Sequence, residues 1–307
     1  MNWNRAFKIQ PDATGYGSES PADVMIAVMD KLGMTSRLVA AARERESNRA
    51  DRLFNDPFAG ALAGEEGRAM MAMTESVPRQ VGASAPTENP YLSIRTRFLD
   101  DVVQGAVQSG IRQFAILAAG MDARAFRLQW PQDAIVFEVE RPDVLSYKEE
   151  VLNSIGAKAT GKRIVVACDL RDDFPQALRS AGYSDSKPTL FITEGLLPYL
   201  PNEETVQSLL TSIAGIAAPG SILALDTVGE SFLKSPWTQP FLELMSKAGV
   251  PWQFGTDEPE KLLEKAGFRN VLVVQPAEYL PQRWPFPSLP RSVPGMPRSY
   301  LVTAARM

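Results

Sequence analysis

A chain of 307 residues, 45% apolar and 22% charged, is long enough for one large α/β domain, or a core domain with a cap, and for a substantial buried core. Its 32 basic and 36 acidic residues leave a net charge of −4, which argues against a broad nucleic-acid-binding face. Histidine is absent and Cys168 is the single cysteine. That excludes a Ser-His-Asp triad, a Cys-His pair, a His-ligated zinc, a thiolate cluster and an intrachain disulfide. Any chemistry must therefore run on carboxylates, Arg, Lys, Tyr or a cofactor. There is no apolar run long enough to cross a membrane, and MNWNRAFKIQPD lacks a secretory pattern, so a cytoplasmic enzyme without a membrane partner is expected.

Residues 1–20 are polar and read as a flexible arm. Ser20-Pro21-Ala22-Asp23 predicts a helix start, with Ser20 as N-cap and Pro21 at the first position; the helix should stop near Gly33. Thr35 to Arg52 predicts a second helix, ended by Asn55-Asp56-Pro57. In the soft apolar segment from Phe58 to Met73, Met70, Met71 and Met73 are expected to fill the core, their other use being to line an adaptable pocket. Val77 to Pro90 reads as loop, and Tyr91 to Ala106 as helix. On that helix Arg95 and Arg97 form a solvated edge or a bidentate clamp for a carboxylate. These stretches make 21–110 a helical cap ahead of an α/β domain at 111–307.

From Gln113 the pattern alternates between strand and helix. Strands are predicted at 113–118, 134–139, 163–167, 189–193, 221–226, 270–275 and 299–304, mostly continuous apolar runs suited to a sheet covered on both faces. Helices are clearest at Asn202 to Ala217 and at Thr256 to Ala266, the latter capped by Thr256 or Asp257. Residues 229–255, with Pro236, Trp237, Pro240, Pro251 and Trp252, are too long for a simple crossover and read as a lid or substrate wall.

The first strand leads into Ala118-Ala119-Gly120-Met121-Asp122, a small-residue turn that lets a ligand approach the backbone, where an open α/β sheet binds a nucleotide-like cofactor. Glu140 ends the second strand, where an acid commonly takes both ribose hydroxyls; Glu138 is assigned to the opposite pleat face and ranks below it. Asp169 and Leu170 follow the third strand, placed to hold an adenine by its amino group and its face. Glu194 leaves the fourth strand ahead of Gly195 and a proline turn. A nicotinamide dehydrogenase shares part of this pattern, but the turn lacks G-x-G-x-x-G and Asp122 would repel a pyrophosphate. A sulfonium cation with an amino-acid end suits these carboxylates better, which points to S-adenosyl-L-methionine.

The motifs LAAGMDARAFRL, FEVERP, ACDLRDDFPQAL, TEGLLPYLP and PRSYLVTAAR, in this order, resemble the leucine carboxyl methyltransferase-like family, from about Met34 to Arg306 and most strongly over 113–201. The resemblance implies a class I methyltransferase fold, with a Rossmann-like seven-strand sheet in the order 3-2-1-4-5-7-6 and the last strand antiparallel. It also implies that Arg95 holds the cofactor's carboxylate, with Arg97 a near alternative, and that Gly120 lies against the cofactor with Asp122 at the turn. Glu140 would take the ribose, Asp169 with Leu170 would face the adenine, and Glu194 would lie near the sulfonium and amino group. Two departures stand out, Glu140 where the family usually has Asp, and Ala118-Ala119 where its turn is richer in glycine.

The activity expected is O-methylation of a small-molecule carboxylic acid to a methyl ester, releasing S-adenosyl-L-homocysteine. A carboxylate of pKa near 4 is already ionised at neutral pH and needs alignment but no base. Arg43 or Arg97 would position the acid, and Tyr199 with Met70 to Met73 would shape the pocket. One alternative is a phenol or alcohol acceptor, with Glu194, Asp226 or a lysine as base. Methylation of a protein C-terminus and a non-catalytic binding role on the same fold are the others.

Overall fold

The apolar runs become the strands β1 (Gln113–Leu117), β2 (Ile135–Glu140), β3 (Lys162–Ala167), β4 (Thr189–Thr193), β5 (Ile222–Val228), β6 (Arg269–Val274) and β7 (Ser299–Ala305). The computed structural model describes residues 21–81, 89–286 and 290–307; the expected arm at 1–20 and its Ser20 cap lie outside the described residues. The strands form one sheet in the order β3-β2-β1-β4-β5-β7-β6. Strands β1 to β5 are parallel, and β7 runs antiparallel between β5 and β6. This is the class I methyltransferase order. Every residue of β1 and β4 is buried, as central strands covered on both faces require.

The two-residue period of β1 divides the core. Ala115 and Leu117 join Phe137, Phe191, Val206 and Ile213 on one face, while Phe114 and Ile116 join Val136, Ile192, Ile94 and Phe98 on the other. The first of these layers is completed by α7 (Glu203–Ile216), whose Asn202 cap accepts the Thr205 N–H at 2.9 Å. The second is completed by the cap helices.

The cap is built from α1 (Pro21–Ser47), α2 (Ala59–Val81) and α3 (Tyr91–Gln108). The expected stop at Gly33 does not occur; α1 runs through it, because one interior glycine costs a helix only about 1 kcal/mol. The second predicted helix is thus the latter half of α1, ending at Ser47 instead of Arg52. Helix α2 continues to Val81, into the segment read as loop, and is kinked at Gly64 (φ 59°, ψ −170°), a conformation open to glycine. Helices α1 and α2 pack so closely that a Cβ on Gly67 would lie 2.5 Å from the Arg37 carbonyl oxygen.

Further helices follow the parallel strands: α4 (Arg124–Arg127) after β1, α5 (Pro142–Ser154) after β2, α6 (Phe174–Ser180) after β3, and α7 after β4. The 229–255 elaboration forms α8 (Glu230–Lys234) and α9 (Gln239–Lys247), and is pinned at its base by the Gln253 N–H on the Pro198 carbonyl (2.6 Å). Helix α10 (Pro259–Lys265) has Glu258 at its N-cap, not Thr256 or Asp257. Asp257 instead accepts the Ser231 N–H (3.1 Å) and hydroxyl (2.9 Å), so its carboxylate ties down the start of the lid.

Candidate active site: a buried charge cluster at the strand ends

Gly120, Glu140, Asp169 and Glu194 follow or end β1, β2, β3 and β4, so the strand order 3-2-1-4 lines them along one edge of the sheet. The turn after β1 is tight. Ala118 (φ 53°) and Gly120 (φ 44°) both take left-handed backbone, and a Cβ on Gly120 would lie 2.8 Å from the Ser36 Cβ of α1. Glu140 holds this turn, its two oxygens accepting the Gly120 and Arg141 N–H groups, each at 2.8 Å. Burial pushes the Glu140 carboxyl up, against the pull of those two N–H groups. Each oxygen retains a second lone pair for a ligand hydroxyl.

Glu138 does not occupy the opposite face. Two residues apart on a strand means the same side of the sheet, so it lies beneath Glu140. There it is fully buried, accepting from Lys148 (2.7 Å) and Arg163 (2.8 Å). Its position is structural.

Beside the turn, arginines and acids form a continuous buried network. Arg124 from α4 is at its centre, donating to Asp100 (2.8 Å), to Glu194 Oε2 (2.7 Å) and to Asp122. Arg95 from α3 reaches Glu194 Oε1 (3.0 Å) and Asp226 (3.0 Å). Asp226 also accepts the Tyr91 hydroxyl (2.8 Å) and the Gly195 N–H (2.6 Å). Arg127 forks onto both oxygens of Asp100 at 2.7 and 2.6 Å, and Arg43 donates to Asp56 (2.8 Å) and to the Met121 carbonyl. Four guanidinium groups (Arg43, Arg95, Arg124, Arg127) thus face five carboxylates (Asp56, Asp100, Asp122, Glu194, Asp226), leaving one negative charge.

The electrostatics follow from this pairing. Burial raises the Glu194 carboxyl, but Arg124 and Arg95 outweigh it and hold its pKa at about 2. Asp122 is held below its usual value in the same way, with Arg124 overcoming burial. Burial and the neighbouring Asp226 push the Tyr91 phenol well up. Glu194 and Asp122 are therefore ionised throughout the neutral range.

Among the expected site residues, Arg95, Gly120, Asp122, Glu140 and Glu194 come together here. Arg97, two positions from Arg95, points off that face of α3 and pairs with Asp101 (2.9 Å) on the surface side. Arg43 is buried and engaged in holding the turn after β1. Tyr199 lies in the turn after β4, packed against cap and lid and edge-on to Trp252 with ring centres 6.0 Å apart. Asp169 accepts from its neighbour Arg171 through Nη2 (2.6 Å), Nε (3.0 Å) and the backbone N–H (2.9 Å), while Leu170 packs half-buried on the core. Sequence reading passed over Tyr91, Asp100, Arg124 and Arg127 as site residues. The signal available was the four-residue spacing of Tyr91 and Arg95 on one helix face, and the D-A-R-A-F-R run at the turn.

Residues 36–214 match the family model described as leucine carboxyl methyltransferase. A protein of Mycobacteroides abscessus assigned by name as an S-adenosyl-L-methionine-dependent methyltransferase is 42% identical over 217 residues, 67% of this chain and 68% of its own length. A Parafrankia protein assigned by the same name is 41% identical over 195 residues, 64% of this chain and 63% of its own length. The chain thus spans about two thirds of these relatives. A Thermobifida fusca structure assigned by name as a methyltransferase superposes with a TM-score of 0.55 at 19% identity, covering 88% of this chain and 94% of that one. A Streptomyces avermitilis structure of the DUF574 family gives 0.55 at 14% identity, with 87% and 97% covered. These two share the fold.

Proposed function

This chain belongs to the leucine carboxyl methyltransferase family, and from that premise we propose that it is an S-adenosyl-L-methionine-dependent O-methyltransferase forming a methyl ester on a small carboxylic acid. The cofactor fits the cluster by charge. Its sulfonium and ammonium against one carboxylate give a net +1, complementary to the residual −1 of the network. The left-handed Ala118 keeps the turn in the shape a glycine would take, and Glu140 still holds the Gly120 N–H, which favours cofactor binding over a scaffold role. Arg95 would hold the cofactor's carboxylate, Glu140 the ribose, and Glu194 the cationic end; Asp169 would need to share its carboxylate with Arg171. When bound, the cofactor supplies the electrophilic methyl group.

The observation that carries the choice of acceptor is the state of the acids. Glu194, held at about 2, has almost no basicity at neutral pH, and Asp226 already accepts from Arg95, Tyr91 and a backbone N–H. Histidine is absent from the sequence, and Lys148 is committed to Glu138. An acceptor that arrives already ionised is the one this site serves. The residues then bind, align and exclude water without moving a proton.

Radiolabelled methyl transfer to a panel of acids tests the reading. A base-labile product with a rate nearly flat from about pH 6 to 9 is expected, since carboxylates are ionised throughout. A base-stable product whose rate climbs about tenfold per pH below a phenol's pKa would assign the hydroxyl alternative instead.

A further inference from the structure

We propose that the acid esterified here is an amphiphilic monocarboxylate, its apolar chain or ring lying against a methionine and aromatic wall formed by cap and lid and its carboxylate meeting the Tyr199 and Thr35 hydroxyls. The inference rests on the methyl-ester reading above and names the substrate class within it.

The wall is a separate apolar cluster that belongs to neither face of the sheet. Met70 from α2 and Met245 and Val250 from the lid are buried in it, while Met71, Tyr199 and Phe241 are only partly covered. Trp252 gathers the aromatic part, with ring centres at 5.0 Å from Phe241, 5.5 Å from Phe232 and 6.0 Å from Tyr199. All four rings are half-buried, so they keep apolar surface that the described residues do not finish covering. Methionines beside rings make a surface that adapts to different apolar shapes.

The wall adjoins the charge cluster through Tyr199. Tyr199 follows Glu194 by five residues, and the α1 stretch that brings Ser36 against Gly120 brings its neighbour Leu38 into the wall, as α3 does with Leu92 beside Tyr91. Burial pushes the Tyr199 phenol up. Arg43, Arg124 and Arg127 are paired with the cluster's own acids, and Arg95, which gives Nε to Glu194 and Nη1 to Asp226, is kept for the cofactor's carboxylate. The groups left at the junction of cluster and wall are the neutral hydroxyls of Tyr199 and Thr35. Hydroxyl donors can hold one carboxylate oxygen and leave the other free to attack, whereas a bidentate guanidinium would engage both. A second ionised group on the acceptor would lie against Met and aromatic side chains with no counter-charge, at a heavy desolvation cost.

Calorimetry with the full chain saturated with S-adenosyl-L-homocysteine decides this. Butyrate, hexanoate, octanoate and decanoate should bind with a Kd falling about fourfold per added methylene while the wall lasts. Malate and glutamate should bind at least a hundredfold more weakly than decanoate. Trp252→Ala and Phe241→Ala should each raise the decanoate Kd about tenfold or more while leaving the affinity for S-adenosyl-L-homocysteine in place, which shows that the variants fold. Tyr199→Phe should weaken every acid about equally, because it removes a carboxylate contact and keeps the ring. A flat chain-length series, or malate matching decanoate, overturns the inference. If malate also yields a base-labile ester, the methyl-ester reading survives and only the apolar substrate class falls. If no acid in either set is bound or methylated, both fall.

Discussion

Replacing Glu194 by Gln tests the charge cluster most directly, because it removes one charge and almost no volume. Glu194 is 12% exposed and lies between Arg95 and Arg124 at 3.0 and 2.7 Å. Lowering its pKa from an ordinary 4.5 to about 2 corresponds to about 3 kcal/mol of folding stability at neutral pH. Because the folded value is the depressed one, this contribution is complete above about pH 5 and is lost as pH falls toward 2. Urea titrations of both proteins should therefore differ by about 3 kcal/mol at pH 7, a gap that narrows by about 1.4 kcal/mol per pH once below about 4.5. A variant as stable as the parent at pH 7 would refute the argument that the arginines outweigh burial. So would a gap that stays constant down to about pH 3.5.

Other substitutions probe different parts of the same edge. Arg95→Lys replaces a fork that reaches two acids with a single point charge, and should raise the calorimetric Kd for S-adenosyl-L-methionine about tenfold or more. Ala118→Gly relieves a left-handed alanine, and once the added freedom of the unfolded chain is subtracted should stabilise by up to about 1 kcal/mol in thermal unfolding. Gly120→Ala should do the reverse, since its Cβ would meet Ser36 at 2.8 Å; cofactor affinity should drop in the same titration. Lys148→Met leaves the buried Glu138 with Arg163 as its remaining cation, and should destabilise by about 2–3 kcal/mol in urea, below the full cost of breaking an isolated buried pair.

Much of the fold is legible in the residues alone. The seven strands fall within two residues of their predicted positions, because each is a short, nearly continuous apolar run ended by turn residues. Gly120, Glu140, Asp169 and Glu194 could be named because a ligand-facing acid or glycine at a strand end is a local feature. Helix ends were less legible. Gly33, Val77 and Asp257 carry stop, loop and cap signals, and each is overridden where packing of α1, α2 and the lid outweighs a local preference of about 1 kcal/mol.

Only the tertiary structure decided how the charges pair. Arg124 meets Asp122 two residues away, Asp100 at a separation of 24 and Glu194 at 70, while Arg95 meets Asp226 at 131. No periodicity links such positions, because the sheet order and the seating of α3 against the ends of β4 and β5 bring them together. The same packing turned Arg43 inward to the turn after β1, left Arg97 on the far side of its helix, and placed Tyr199 among the methionines of the cap and lid. Residue type thus determines which charges the chain owns. Their partners, and hence their acidity, follow from burial and distance, which exist only once the chain has folded.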